Sequence, residues 1–144
     1  MRIPYRGDFR WADIPVKEYK TDGTHFKDIT RQVLFDDPEL ACQLRYFEIE
    51  PGGHSTLERH QHVHAVMIFR GRGRALVGHS VIPVQTFDLV QIPSMTWHQF
   101  RATEGEHLGF LCLVNCDRDR PTLPTEEDLT ELRQHPEVAD FIRV

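Results

Sequence analysis

Residues 51–73 read PGGHSTLERHQHVHAVMIFRGRG, and four potential metal donors in this stretch, Glu58, His60, His62 and His64, fall at alternate positions. On a β-strand alternate residues share a face, so neighbours in the set can chelate one ion as His-x-His pairs do. A straight strand cannot bring all four to the same ion. At about 3.3 Å per residue, positions 58 and 64 stand roughly 20 Å apart, whereas metal bonds are about 2.0–2.2 Å long. Either the chain folds back within this stretch, or only one adjacent pair binds.

Outward from the histidines, residues 41–115 consist of short apolar runs rich in Val, Ile, Phe and Leu, cut by Gly and Pro at hairpin-like intervals. The pattern predicts strands over Cys42–Ile49, His64–Arg70, Arg74–Val77, Val81–Val84, Leu89–Ile92, Trp97–Arg101 and Leu108–Asn115. Turns are expected at 51–53, 71–73, 78–80, 93–94 and 104–106. Many short strands at even spacing describe an all-β barrel or a two-sheet jelly roll. Three segments are expected: an N-terminal arm over 1–38 lying across the core, a β-barrel over 39–116, and a helical extension over 117–144. In the last, Thr125 and Asp128 form a capping box and Pro136 opens a second short helix. Leu129, Leu132, Val138, Phe141 and Ile142 give the extension an apolar face to dock on the barrel.

The 144 residues, 40% hydrophobic and 27% charged, suit one ordinary domain with a self-sufficient core. Seventeen basic and 22 acidic residues give a net charge of -5 without a Lys/Arg block, which argues against nucleic acid and anionic membrane as partners. Cys42, Cys112 and Cys116 are odd in number and lack C-x-x-C spacing, so reduced thiols and a cytoplasmic location are expected. No apolar leader and no run of eighteen apolar residues is present, so neither a signal peptide nor a membrane span is expected.

PGG, the histidine-rich segment, the apolar strand ending in RGRG, and a second segment, DLVQIPSMTWHQF at 88–100, together resemble the two conserved motifs of the cupin superfamily. The resemblance covers residues 42–115 and implies a double-stranded β-helix. Counting back from Gly71, the family's Glu position falls on His64, its two first-motif His positions on Glu58 and His60, and its second-motif His on His98. The implied ligands of one divalent transition metal (Fe, Mn, Ni, Cu or Zn) are therefore Glu58, His60, His64 and His98, with His62 in reserve. Relative to the family pattern a carboxylate and an imidazole have exchanged places. Met95 stands where the second motif has Gly, and Ala102 where it ends in Asn. Three imidazoles and a carboxylate that leave coordination positions open suit catalysis more than a closed structural site.

Strand parity names the neighbours. His64, Val66 and Ile68 face one way and Ala65, Met67 and Phe69 the other, so an inward His64 leaves an apolar outer face. That face is expected to be covered by a second copy, making a homodimer, or by the N-terminal arm. Phe100, Val66, Ile68, Arg45, Tyr46 and Cys112, with Gln43, are the candidates for lining a small-molecule substrate pocket. From the resemblance three functions follow in order of weight: a metal-dependent oxygenase or related oxidoreductase; a metal-dependent isomerase, lyase or decarboxylase in which the ion is a Lewis acid; and a non-catalytic cupin that binds a small ligand.

Overall fold

The computed structural model describes residues 2–20 and 24–144. Its strands are β1 (Tyr5–Gly7), β2 (Arg10–Trp11), β3 (Lys17–Glu18), β4 (Lys27–Asp36), β5 (Cys42–His54), β6 (His64–Val77), β7 (Ser80–Gln85), β8 (Leu89–Ile92), β9 (His98–Ala102) and β10 (Leu108–Asn115), followed by the helices α1 (Glu126–Leu132) and α2 (Pro136–Phe141). β10 pairs with both β5 and β6, and β9 also pairs with both, which closes the sheet into a barrel. All pairings are antiparallel. The expected all-β jelly-roll barrel is the fold of the chain.

Two of the expected turns are not turns. Pro51–Gly53 lies inside β5, and Gly71–Gly73 lies inside β6. The reason is the barrel itself, because each long strand serves two sheets in succession. Residues 64–67 of β6 pair with β8 and residues 64–71 with β10, whereas residues 72–77 pair with β7 and β9. The change of sheet occurs at Gly71, whose φ of +69° is left-handed and whose α-carbon lies so close to the carbonyl of His107 that a Cβ would stand 1.9 Å from it. The glycines therefore bend continuous strands.

The segment before residue 38 is more than an arm. It contributes β4, a ten-residue strand hydrogen-bonded along β5, while β1 and β2 form a separate ribbon. Phe9 of this ribbon stacks on Tyr46 at 5.7 Å and meets Phe69 edge-on at 6.1 Å, and Arg70 lies over the Phe9 ring. Beneath them Glu48 accepts hydrogen bonds from the Tyr46 hydroxyl and from Arg70. The N-terminal ribbon thus covers the Phe69 end of the outer face.

The barrel core holds Ile29, Phe47, Ile49, Val66, Ile68, Val90, Ile92, Phe100, Leu108, Phe110 and Cys112. A second cluster joins Leu57, Leu76 and Trp97 to Leu129, Leu132, Val138, Phe141 and Ile142, so the C-terminal helices dock outside the barrel on the face expected of them. Thr125 and Asp128 cap α1 reciprocally, and Pro136 occupies the first turn of α2. Among the described residues no helix is long and apolar enough to cross a membrane.

Candidate metal centre

Between β5 and β6 the chain folds back, as the reach argument requires of a shared site. Glu58 and His98 exchange backbone hydrogen bonds of 3.2 and 3.0 Å, and Arg59 and Thr122 form a second bridge. The carbonyl of His60 accepts from the backbone N–H of Met95 at 2.7 Å. Met95 has a φ of +54°, a left-handed backbone uncommon for a residue with a side chain, at the position where the cupin motif has Gly. The carboxylate of Asp119 closes the loop from the other side, accepting from the backbone N–H groups of Gln61 and His62 and from the His62 ring.

This scaffold brings His60, His64 and His98 together at the barrel mouth, with ring centroids 4.8–5.1 Å apart and one potential ligand nitrogen from each within 4.8 Å of the others. The second nitrogens are committed. His60 Nδ1 donates to the carbonyl of His62 at 2.7 Å, and His98 Nδ1 donates to the carbonyl of Thr96 at 2.9 Å. A carbonyl can only accept, which places the proton on Nδ1 and leaves the Nε2 lone pair free to ligate. His64 Nδ1 contacts Cys112 Sγ at 3.2 Å, and its Nε2 is buried without a hydrogen-bond partner. A buried, unpartnered imidazole nitrogen beside two others of fixed tautomer fits a borderline transition metal.

The expected donors divide. Glu58 does not join the three imidazoles; its Oε2 is held 2.5 Å from Lys20 Nζ, and Lys20 also donates to Thr56. His62 stacks flat on His60 at 3.6 Å with its Nδ1 bonded to Asp119, an outer position rather than a ligating one. The cavity next to the imidazoles is lined by Arg45, Phe100 and Cys112, as expected, and also by Glu58 and His62. The other pocket candidates are displaced. Val66 and Ile68 do face inward but are packed in the core, and Tyr46 faces outward under Phe9 and Trp11. Gln43 is tied to Asp36 and approached by Arg118. Lining residues that the sequence did not single out are Tyr19, Lys20, Arg31, Phe47, Phe110, Arg118 and Asp119.

Burial holds the imidazoles neutral. It pushes His98 down to about 4, and it pushes His64 down to about 2 with help from the neighbouring His98 and His60. His60 is also lowered, first by burial and then by His62. Neutral imidazole is the form that binds metal. Without metal, these folded-state values lie below the unfolded value of about 6.5, so the unfolded chain takes up protons first as the pH falls. Stability is then complete above pH about 6.5 and declines as the pH drops toward 4. Thermal unfolding of chelator-treated protein should show Tm falling across that window; a flat Tm would contradict the buried neutral imidazoles.

A closed antiparallel barrel whose mouth gathers imidazoles from the fold-back and from β9 is the architecture that the two sequence motifs imply. The chain belongs to the cupin family: the Cupin domain model matches residues 45–114. It is 54% identical over 140 residues, 96% of this chain and 90% of the relative, to 1-methylthio-D-xylulose 5-phosphate methylsulfurylase of Rhodospirillum rubrum. The crystal structure of a cupin 2 conserved barrel domain protein from Rhodopseudomonas palustris is similar over the whole of both chains, with 55% identity and a TM-score of 0.96. A cupin-2 domain structure from Rhodospirillum rubrum aligns with 96% of this chain and 93% of its own at 54% identity and a TM-score of 0.89.

Proposed function

We propose that the chain is a metal-dependent enzyme acting on a methylthio-substituted ketose phosphate, as its Rhodospirillum rubrum relative is named for doing. The observation that carries this reading is the convergence of three neutral imidazoles, one with an orphaned Nε2, on a cavity in a chain that shares 54% identity with that relative. His60, His64 and His98 would hold one divalent transition metal. Bound there, the ion supplies Lewis acidity toward a carbonyl oxygen. The stacked rings of Phe47, Phe110 and Phe100 line the cavity and would shield a substrate's reacting carbon from water. Glu58 and Lys20, hydrogen-bonded at the cavity wall, are placed to take up and return a proton. This favours the Lewis-acid reading over the oxygenase reading, because the relative's name describes chemistry at a sulfur-bearing carbon beside a carbonyl. The three free thiols support a reducing, cytoplasmic location.

The test is consumption of 1-methylthio-D-xylulose 5-phosphate, followed by mass spectrometry in a thiol-containing buffer, with oxygen uptake recorded in parallel. Metal-dependent consumption without oxygen uptake is expected. Absence of consumption after reconstitution with each of Mn, Fe, Ni, Cu and Zn would overturn the reading, and oxygen uptake coupled to turnover would restore the oxygenase.

We also propose that the protein is a homodimer. Cross-strand register sets Met67 beside Leu89 and places Leu113 beside Ala65, and these three large side chains remain 39%, 58% and 47% exposed beyond the reach of the N-terminal ribbon. A two-fold contact is the commonest cover for such a face. Sedimentation is expected to show twice the 16.8 kDa of one chain, and Met67→Glu is expected to release monomers. A wild-type monomer at micromolar concentration would overturn the proposal.

A further inference from the structure

Three arginines meet in the cavity that holds the imidazoles: Arg31 on β4 and Arg45 on the neighbouring β5, and Arg118 just after β10. Among the described residues none of them forms a salt bridge. Arg118 anchors one guanidinium nitrogen on the carbonyls of Asn115 and Cys116 and leaves the other 3.5 Å from Gln43 Oε1. Arg45 lies over the Phe47 ring and reaches Cys112 Sγ at 3.6 Å. The Nε atoms of Arg31 and Arg45 are buried and have no hydrogen-bond partner.

Such an arrangement is costly unless an anion meets it. Cations gathered at the wall of a partly enclosed cavity repel one another and are ordinarily paired with carboxylates. The two carboxylates of this cavity are already engaged, Glu58 by Lys20 and Asp119 by His62 and the fold-back. Nor does Tyr19 in the cavity wall supply an anion, because burial raises its phenol above the ordinary value. Burial, followed by the charge of Arg45, lowers both Arg31 and Arg118 from the ordinary guanidinium value. The chain as a whole is acidic, so this concentration of positive charge is local to the cavity.

We propose that Arg31, Arg45 and Arg118 form a subsite for the phosphate monoester of the substrate. The forked, planar guanidinium matches phosphate oxygens two at a time, and three of them neutralise a dianion. Cys112 sets the spacing, since its sulfur touches both His64 of the imidazole group and Arg45 of the arginine group. A sugar phosphate anchored on the arginines therefore points its carbonyl end at His60, His64 and His98. This assignment rests on the ketose phosphate reading for its substrate and on the unpaired arginines for its location.

Calorimetric titration separates the two. The probes are D-xylulose 5-phosphate, inorganic phosphate and unphosphorylated D-xylulose, applied to the wild-type protein and to Arg31→Gln, Arg45→Gln, Arg118→Gln and Arg118→Lys. Metal content and Tm of every variant verify that the barrel and the imidazole group are intact. The phosphorylated sugar is expected to bind at least about tenfold more tightly than the free sugar, with affinity falling as salt rises. Each Gln variant is expected to weaken binding by roughly tenfold to a hundredfold, and Arg118→Lys to recover part of the loss. Equal binding of the phosphorylated and free sugars, or wild-type affinity in all three folded Gln variants, would overturn the subsite. If phosphate binding follows the arginines but the methylthio sugar is never consumed, the subsite stands and the proposed reaction falls. If turnover proceeds with KM unchanged in the Gln variants, the reaction stands and the subsite falls.

Discussion

Replacement of His98 by Ala is expected to yield a folded protein that emerges from purification without transition metal and without metal-dependent turnover. The side chain is buried, its Nδ1 is fixed by Thr96, and among the described residues the donors grouped within reach of one another are His60, His64 and His98. Loss of a residue that merely orients a ligand costs about 10–100-fold in metal affinity, so loss of a ligand from a set of three should exceed about 100-fold. His60→Ala should behave alike. His62→Ala should stay within the 10–100-fold range, because it is the backbone carbonyl of His62 that holds His60, and the substitution retains that carbonyl. Elemental analysis checks each case. Full metal occupancy in the His60→Ala/His98→Ala double variant would refute the centre.

The second large effect is expected from Gly71→Ala. A Cβ there would press on the His107 carbonyl, and the φ of +69° is itself unfavourable for any L side chain. Left-handed strain of about 1–2 kcal/mol together with overpacking of about 1–3 kcal/mol approaches the whole stability of a marginal domain. A Tm lowered by on the order of 10 °C, or failure to accumulate as soluble protein, is the expected result. Because Gly71 is where β6 leaves one sheet for the other, an unchanged Tm would mean that the strand does not make that crossing.

His60, His64 and His98 were named from the resemblance to the cupin motifs, since spacing alone left open whether the chain folds back or only one adjacent pair binds, and the structure groups these three imidazoles. The C-terminal helices were legible for a local reason, since a capping box and a proline in the first turn are short-range signals. β4 was not. Its inward row is Ile29, Arg31 and Val33, and the charged residue in the middle, which lines a cavity rather than a core, breaks the apolar alternation that marks a strand. Arg118 and Asp119 stood in a stretch that reads as a polar tail, and nothing local distinguishes a carboxylate that braces a metal loop from one in solvent. The glycines at 52 and 71 were read as turns because local sequence does not reveal that a second sheet waits to continue the strand. That Glu58 pairs with Lys20 and stands apart from the imidazole group was not legible either, because Lys20 lies 38 positions away in a segment without recognisable period.

The clasp that Asp119 makes on the backbone of Gln61 and His62 has a consequence for the order in which the molecule matures. It joins positions 57 and 58 apart in sequence, and it comes from a residue beyond the last barrel strand. Contacts of such separation are among the slowest to form, because the loop they close must first lose its freedom. While the chain is still emerging during synthesis, the three-imidazole group is therefore incomplete, and only local His-x-His pairs of residues 60–64 are on offer to an ion. The geometry that would discriminate among ions exists only once the polypeptide is nearly complete and β9 and Asp119 have joined the histidine segment.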